Sequence, residues 1–214
     1  VKCGAFSLIL LIIGSLSGTQ ELVREPVEEV VAVVDRTPIL RSDVDLAELL
    51  ILINRPFGST DVEYRSALLE ARIHLEVQFR DLEASGILYR LELDVAGVRR
   101  TLLSAFGEND SLSYKLEAAG LGDADIDELA LRVCAANAYA EQRLRPRISV
   151  TLQEIETAYR NLAVELESQG EIAPRLTSVH DQLHTLIAER KLNDEIERWV
   201  RRALEERDVT RFVR

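Results

Sequence analysis

Strand-forming character in this chain is confined to its two ends, and everything between them is patterned as helix. Residues 30–34 (VVAVV) are a β-branched run and 35–38 (DRTP) are turn residues. Ile39 and Leu40 resume the apolar character before Ser42 and Asp43 offer N-cap oxygens. This reads as a short β-hairpin feeding a helix. At the other end, residues 208–214 (DVTRFVR) place Val209, Arg211 and Val213 on one side and Thr210 and Phe212 on the other. A lone terminal strand is unstable, so residues 209–213 are expected to pair with the hairpin at 30–40. The closing helix is expected to pack on that sheet through Trp199. The fold class implied is mainly α, a multi-helix domain with a small antiparallel sheet made by the N-terminal hairpin and the C-terminal strand.

Residues 1–17 carry one cation, Lys2, an apolar run over 5–13, and Ser15 and Ser17 at the −3 and −1 positions of a cleavage site. This is a secretory signal pattern, and the apolar run is shorter than the ~20 residues a membrane span needs. Cys3 precedes the run, so no lipid anchor is indicated. Export to the periplasm or another extracytoplasmic space is expected, with cleavage near Ser17 and no stable membrane anchor afterwards. The net charge is −11, and losing Lys2 makes it one unit more negative. Such an acidic balance argues against nucleic acid and anionic membrane as partners. Without Cys3, Cys134 is alone and no internal disulfide can form; it reads as a small apolar residue on a helix.

Between the ends the spacing predicts six or seven helices. The first covers 43–54 and stops before Pro56. Thr60 caps a second that runs to Ser85, with one stripe of Leu69, Ile73 and Val77 and another of Leu68, Leu75, Phe79 and Leu82, so it should pack on two sides. Gly86 is its C-cap. Helices over 93–106 and 111–119 follow, then a long one from Asp123 or Asp125 to Leu144, stopped by Pro146. Asn137 lies in its stripe and reads as a polar residue at a packing edge; His74 reads as solvated. Thr151 and Glu154 form a capping box opening a helix to Ser168. After a break at 169–178 the last helix, 179–207, carries Leu192, Ile196, Trp199, Val200, Ala203 and Leu204 on one face. Asp194 with Arg198 and Glu197 with Arg201 sit at i, i+4 outside it.

The chain contains no G-x-x-x-x-G-K phosphate loop, no G-x-G-x-x-G and no G-x-S-x-G. No ATP or other cofactor is expected, and no enzyme activity. His180 and His184 stand at i, i+4, but Asp181 is too short to serve as the glutamate of an H-E-x-x-H zinc site and no third ligand has the right spacing. They read as two exposed histidines at a helix start, and no metal or catalytic residue is assigned.

Residues 30–35 (VVAVVD) followed by 39–44 (ILRSDV) resemble the opening of the SurA family of extracytoplasmic chaperones and foldases, the SurA/PpiD/PrsA group. The likeness continues through Leu68, Leu69, Gln78, Leu82 and the Gly86-Ile87 pair. It resumes at 143–151 (RLRPRISVT) with Glu154, and in the closing helix with Trp199 and the strand after it. Two departures stand out. Pro38 replaces a second-strand apolar residue, and only residues 170–178 occupy the place where many members insert a parvulin proline-isomerase domain. The resemblance divides the chain into a signal peptide at 1–17, a SurA-like N-terminal region at 18–169, a linker at 170–178 and a C-terminal segment at 179–214 that folds back. It implies an ATP-independent chaperone for unfolded or newly exported polypeptides such as outer-membrane proteins, without isomerase activity. The other reading is a structural or assembly subunit docking one fixed envelope partner. Phe57, Leu88, Tyr89 and Phe106 lie in or beside connections, off the helix stripes, and are the candidate peptide contacts.

Overall fold

A computed structural model describes residues 28–104 and 111–212. The expected signal peptide, Phe106 and Val213 lie outside the described residues. Strand β1 (Val30–Val34) and strand β2 (Thr37–Leu40) form the hairpin, closed by two residues, with Val34 opposite Thr37. Asp35 takes a left-handed φ of 54° in that turn, a conformation aspartate tolerates better than most side chains. Pro38 is accommodated inside β2, opposite Val33, because β2 is an edge strand; it does not shorten the hairpin.

The C-terminal strand β3 (Val209–Arg211) pairs antiparallel with β1, giving the order β2-β1-β3. Ala32 faces Arg211, Val33 faces Thr210 and Val34 faces Val209. Further main-chain bonds extend the pairing, from Asp35 N–H to the Asp208 carbonyl at 2.7 Å and from Phe212 N–H to the Val31 carbonyl at 2.9 Å. Alternation along β1 sends Ala32 and Val34 inward, where they pack with Ile39, Ile73, Val77 and Ala203.

Helix α1 (Arg41–Leu49) starts earlier than the sequence suggested: Asp43 is not its N-cap but sits inside the first turn and accepts from the Leu40 N–H at 2.8 Å. It also ends at Leu49, not Asn54, since Leu52 N–H bonds back to the Ala47 carbonyl across Ile51, which is held at φ 49°. Helix α2 (Asp61–Ala84) is capped by Thr60 and Glu63 and closed by Gly86 at φ 68°. One side of it meets the sheet. The other meets α5 (Asp123–Tyr139), and the last half of α7 (Leu176–Glu205) also lies on it. Helices α3 (Val95–Ser104) and α4 (Ser111–Ala118) flank the bundle, α3 against α5.

After Tyr139 the long helix does not stay α-helical as expected. It widens into a π turn over Ala140–Leu144 and then a 3-10 turn over Arg145–Arg147. Pro146 is the cause we assign, because it lacks the amide an α-helix would donate to the Gln142 carbonyl. Helix α6 (Leu152–Ser168), opened by the Thr151–Glu154 box, packs on the first half of α7 around Ile155, Leu183 and Ile187. These two helices form a hairpin arm with its own small core.

Trp199 does not join the sheet to the closing helix; Ala203 and Leu204 do that. Trp199 instead packs with Leu82, Ala135, Leu144 and Leu192, meets Tyr139 at 4.4 Å between ring centroids with the planes tilted by 47°, and donates its indole N–H to Asp81 at 2.7 Å. Arg198 pairs with Glu195, at 2.5 Å, and not with the Asp194 carboxylate.

Strand β3 is also held electrostatically. Arg211 grips Glu70 of α2 through two bonds of 2.7 and 2.9 Å, and this partner holds the Glu70 carboxyl below the ordinary value of 4.5. His74, one turn along, is not solvated: it is half-buried, and burial pushes its imidazole below the ordinary 6.5 despite the neighbouring Glu70. Both shifts favour the folded state at neutral pH. The His74 contribution is lost as pH falls from 6.5 through its lowered folded value, and the Glu70 contribution as pH falls from 4.5 through its own. Urea midpoints are therefore expected to fall as pH drops below 6.5, and to fall further as it drops below 4.5. Glu70→Gln should flatten the lower part of that profile, and His74→Gln the upper part.

Candidate functional site

The apolar residues of highest interest meet where the sheet crosses the start of α2. Val31 of β1, Val44 of α1 and Leu69 of α2 line a cleft of about 350 Å³, and Val62 and Phe212 stand at its mouth. Each position follows from local structure. Val31 is on the β1 face opposite Ala32. Val62 is in the first turn of α2, seven residues before Leu69 and on the same face, at the end of that stripe where the packing gives way to solvent. Phe212 follows β3 and is fixed by its N–H bond to Val31. Val62 is 79% and Phe212 49% exposed. The charged rim is largely self-neutralised: Arg41 Nε donates to Glu29 at 2.8 Å, and Arg65 binds Glu48 at 2.8 Å and also Asp45.

This arrangement can take up an apolar side chain, worth about 1.5–3 kcal/mol for a fully buried Leu or Phe. It presents no nucleophile beside a base. Among the described residues the outer edge of β3 is unpaired and adjoins it, and such an edge can accept an extended chain by main-chain pairing.

Of the four residues singled out from sequence, Phe106 lies outside the described residues, and Phe57 is not brought together with Leu88 and Tyr89. Phe57 is fully exposed in the connection before α2, while Leu88 and Tyr89 lie in a 3-10 turn (Leu88–Arg90) beyond its far end. The 24 residues of α2 separate these positions by about 36 Å. Tyr89 is exposed, whereas Leu88 packs on the cluster around Trp199. Phe57 and Tyr89 thus belong to separate surfaces, and Val31, Val62 and Phe212 were not singled out as contacts. The available signal was the extension of the Leu69 stripe to Val62 in the first turn of α2, and the strand-end aromatic at Phe212.

A larger groove of about 680 Å³ runs between α3 and α5, with Cys134 and Asn137 in its wall. Asn137 is exposed there, not packed at an edge. Cys134 is buried, and burial pushes its thiol above the ordinary value, away from the reactive thiolate. His180 hydrogen-bonds Asp181 at 3.0 Å. Among the described residues no group of three His, Cys, Asp or Glu side chains is placed to hold a metal ion, and no helix is long and apolar enough to cross a membrane. Comparison with known proteins finds no family model that matches the chain and no curated protein that matches it.

Proposed function

We propose that the protein is an ATP-independent chaperone acting outside the cytoplasm, holding non-native or newly exported polypeptides such as unfolded outer-membrane proteins. The observation that carries this reading is the apolar cleft between β1, α1 and α2 with Val62 and Phe212 exposed at its mouth and an open strand edge beside it. Apolar contact, with the rim charges paired among themselves, suits clients of varied sequence, and each contact is individually weak. The SurA-like sequence pattern at both chain ends supports the same role, because those ends build the cleft.

In a light-scattering assay without nucleotide, the intact protein is expected to suppress aggregation of an unfolded outer-membrane protein. A Val62→Glu, Phe212→Glu variant places charge at the mouth and should weaken client affinity by about 2 kcal/mol, roughly thirtyfold. Both side chains are substantially exposed, so its unfolding midpoint should stay near that of the parent. Equal suppression by parent and variant would remove the cleft from the mechanism; no suppression by the parent would remove the chaperone reading.

A further inference from the structure

The larger clefts of this acidic protein each contain at least one carboxylate, and one smaller cavity contains none. It measures about 230 Å³, lies between the Leu88–Arg90 turn and the π turn, and is lined by Ile87, Arg90, Tyr139, Arg143 and Arg147. Among the described residues several arginines, such as Arg65, Arg80 and Arg99, are tied to carboxylates, whereas others, such as Arg36 and Arg100, are not; the cavity is distinctive in gathering three arginines with no acid in its lining. These three are exposed and have no carboxylate partner among the described residues.

Glu141, two residues before Arg143, is committed elsewhere. Glu141 binds Arg145, which also binds Glu189 of α7 at 2.6 Å, and this clamp fixes the 3-10 turn from which Arg147 projects. Arg143 comes from the π turn, a local form that recurs at functional sites. Three guanidinium groups gathered without counter-charge repel one another, and their planar donor forks match carboxylate or phosphate oxygens. The remaining wall, Ile87 and the face of Tyr139, is apolar, which a bare inorganic anion would leave unused.

We propose that this cavity binds the carboxylates of an acidic polypeptide segment, with an apolar side chain of that segment seated on Ile87 and Tyr139. The inference rests on the proposed chaperone reading for the polypeptide nature of the ligand. It adds a selective element: overall negative charge repels acidic chains, and this site recovers those that carry an apolar residue beside the acids. Leu69 in the first cleft and Ala84, the last residue of α2 before this cavity, are about 22 Å apart along the helix axis, a span of roughly seven extended residues.

Tyr139 meets Trp199, the single tryptophan of the chain, so its emission reports occupancy. The intact protein is titrated with a terminally blocked pentapeptide holding two glutamates around a leucine, and binding is followed by Trp199 fluorescence and calorimetry. The same peptide with glutamines, the same peptide with glycine for leucine, and inorganic phosphate serve as the other arms. The parent peptide is expected to bind at least tenfold more tightly than any of these, and at least tenfold more tightly to the parent protein than to an Arg143→Gln, Arg147→Gln variant with an unchanged unfolding midpoint. Equal binding of the glutamine peptide, or unweakened binding to the variant, overturns the proposal. Phosphate or the glycine peptide binding as well as the parent peptide reduces the site to a bare anion site and overturns it too. Aggregation suppression measured on the same preparation separates the two readings: suppression retained with no peptide binding sinks this site alone, and suppression absent sinks the chaperone.

Discussion

Replacing Glu76 with alanine is expected to lower stability by about 3–5 kcal/mol, one of the two largest effects of any change considered. Glu76 is 2% exposed, on the side of α2 that faces α5. One of its oxygens accepts from Arg132 Nε at 2.5 Å and the other from Arg80 Nε at 2.8 Å. Arg132 is itself buried over the Phe79 ring, 5.1 Å from its centroid. A second buried guanidinium, Arg72, shares the region with only Asp43 as its partner, at 3.2 Å. Without Glu76 two buried cations would remain with only the more exposed Glu128 and Asp43 to offset them. A Glu76→Met, Arg132→Met double variant should be milder than Glu76→Ala, since neither charge of the pair is then stranded. Urea titrations of both variants decide it. A double variant as unstable as the single one would locate the cost in packing and not in the uncompensated charge.

Deleting residues 208–214 is expected to cost about 3–4 kcal/mol and to lower the unfolding midpoint of the whole domain, not merely fray a tail. The deletion removes the main-chain bonds of β3 to β1, at about 1 kcal/mol each, the burial of Val209 against Ala32 and Val34, and the two-pronged Arg211–Glu70 contact. Arg207 would stay but lose its ordered neighbour, because Asp35 binds both the Arg207 guanidinium and the Asp208 N–H. Joining chain segments so far apart carries a closure cost that grows only slowly with length, so a few bonds and one half-buried valine suffice to hold them. Trp199 touches none of the deleted strand, and the midpoint it reports should nonetheless fall with that of far-UV circular dichroism. An unchanged midpoint in the truncated protein would show that the sheet does not contribute to the stability of the helices.

The candidate cleft was only partly legible in advance. Val31 and Phe212 were recognisable as strand residues, yet nothing within either segment says that the last residues of the chain and the first turn of α2 would stand at one opening. The buried charges were less legible still. Arg72 and Glu76 fall between the two apolar stripes of α2 and Arg132 beside that of α5, where periodicity implies burial but charge implies solvent; α2 and α5 bury them because Glu76 and Arg132 pair across the contact. Tyr139 and Trp199 sit 60 residues apart, so their contact could not be read from either helix alone.

The amino-acid sequence by itself determined what depends on near neighbours. The caps at Thr60 and Thr151, the left-handed close at Gly86, the hairpin around Asp35 and the break near Pro146 all rest on backbone preference and hydrogen bonds spanning a few residues. Tertiary structure alone decided which faces meet: β1 as the centre of the sheet, Ala203 rather than Trp199 as its contact from α7, and the pairing of Glu76 with Arg132. The physical reason is that periodicity tells a residue which face of its own element it occupies, whereas the partner of that face is set by shape, apolar area and charge arriving from elsewhere in the chain.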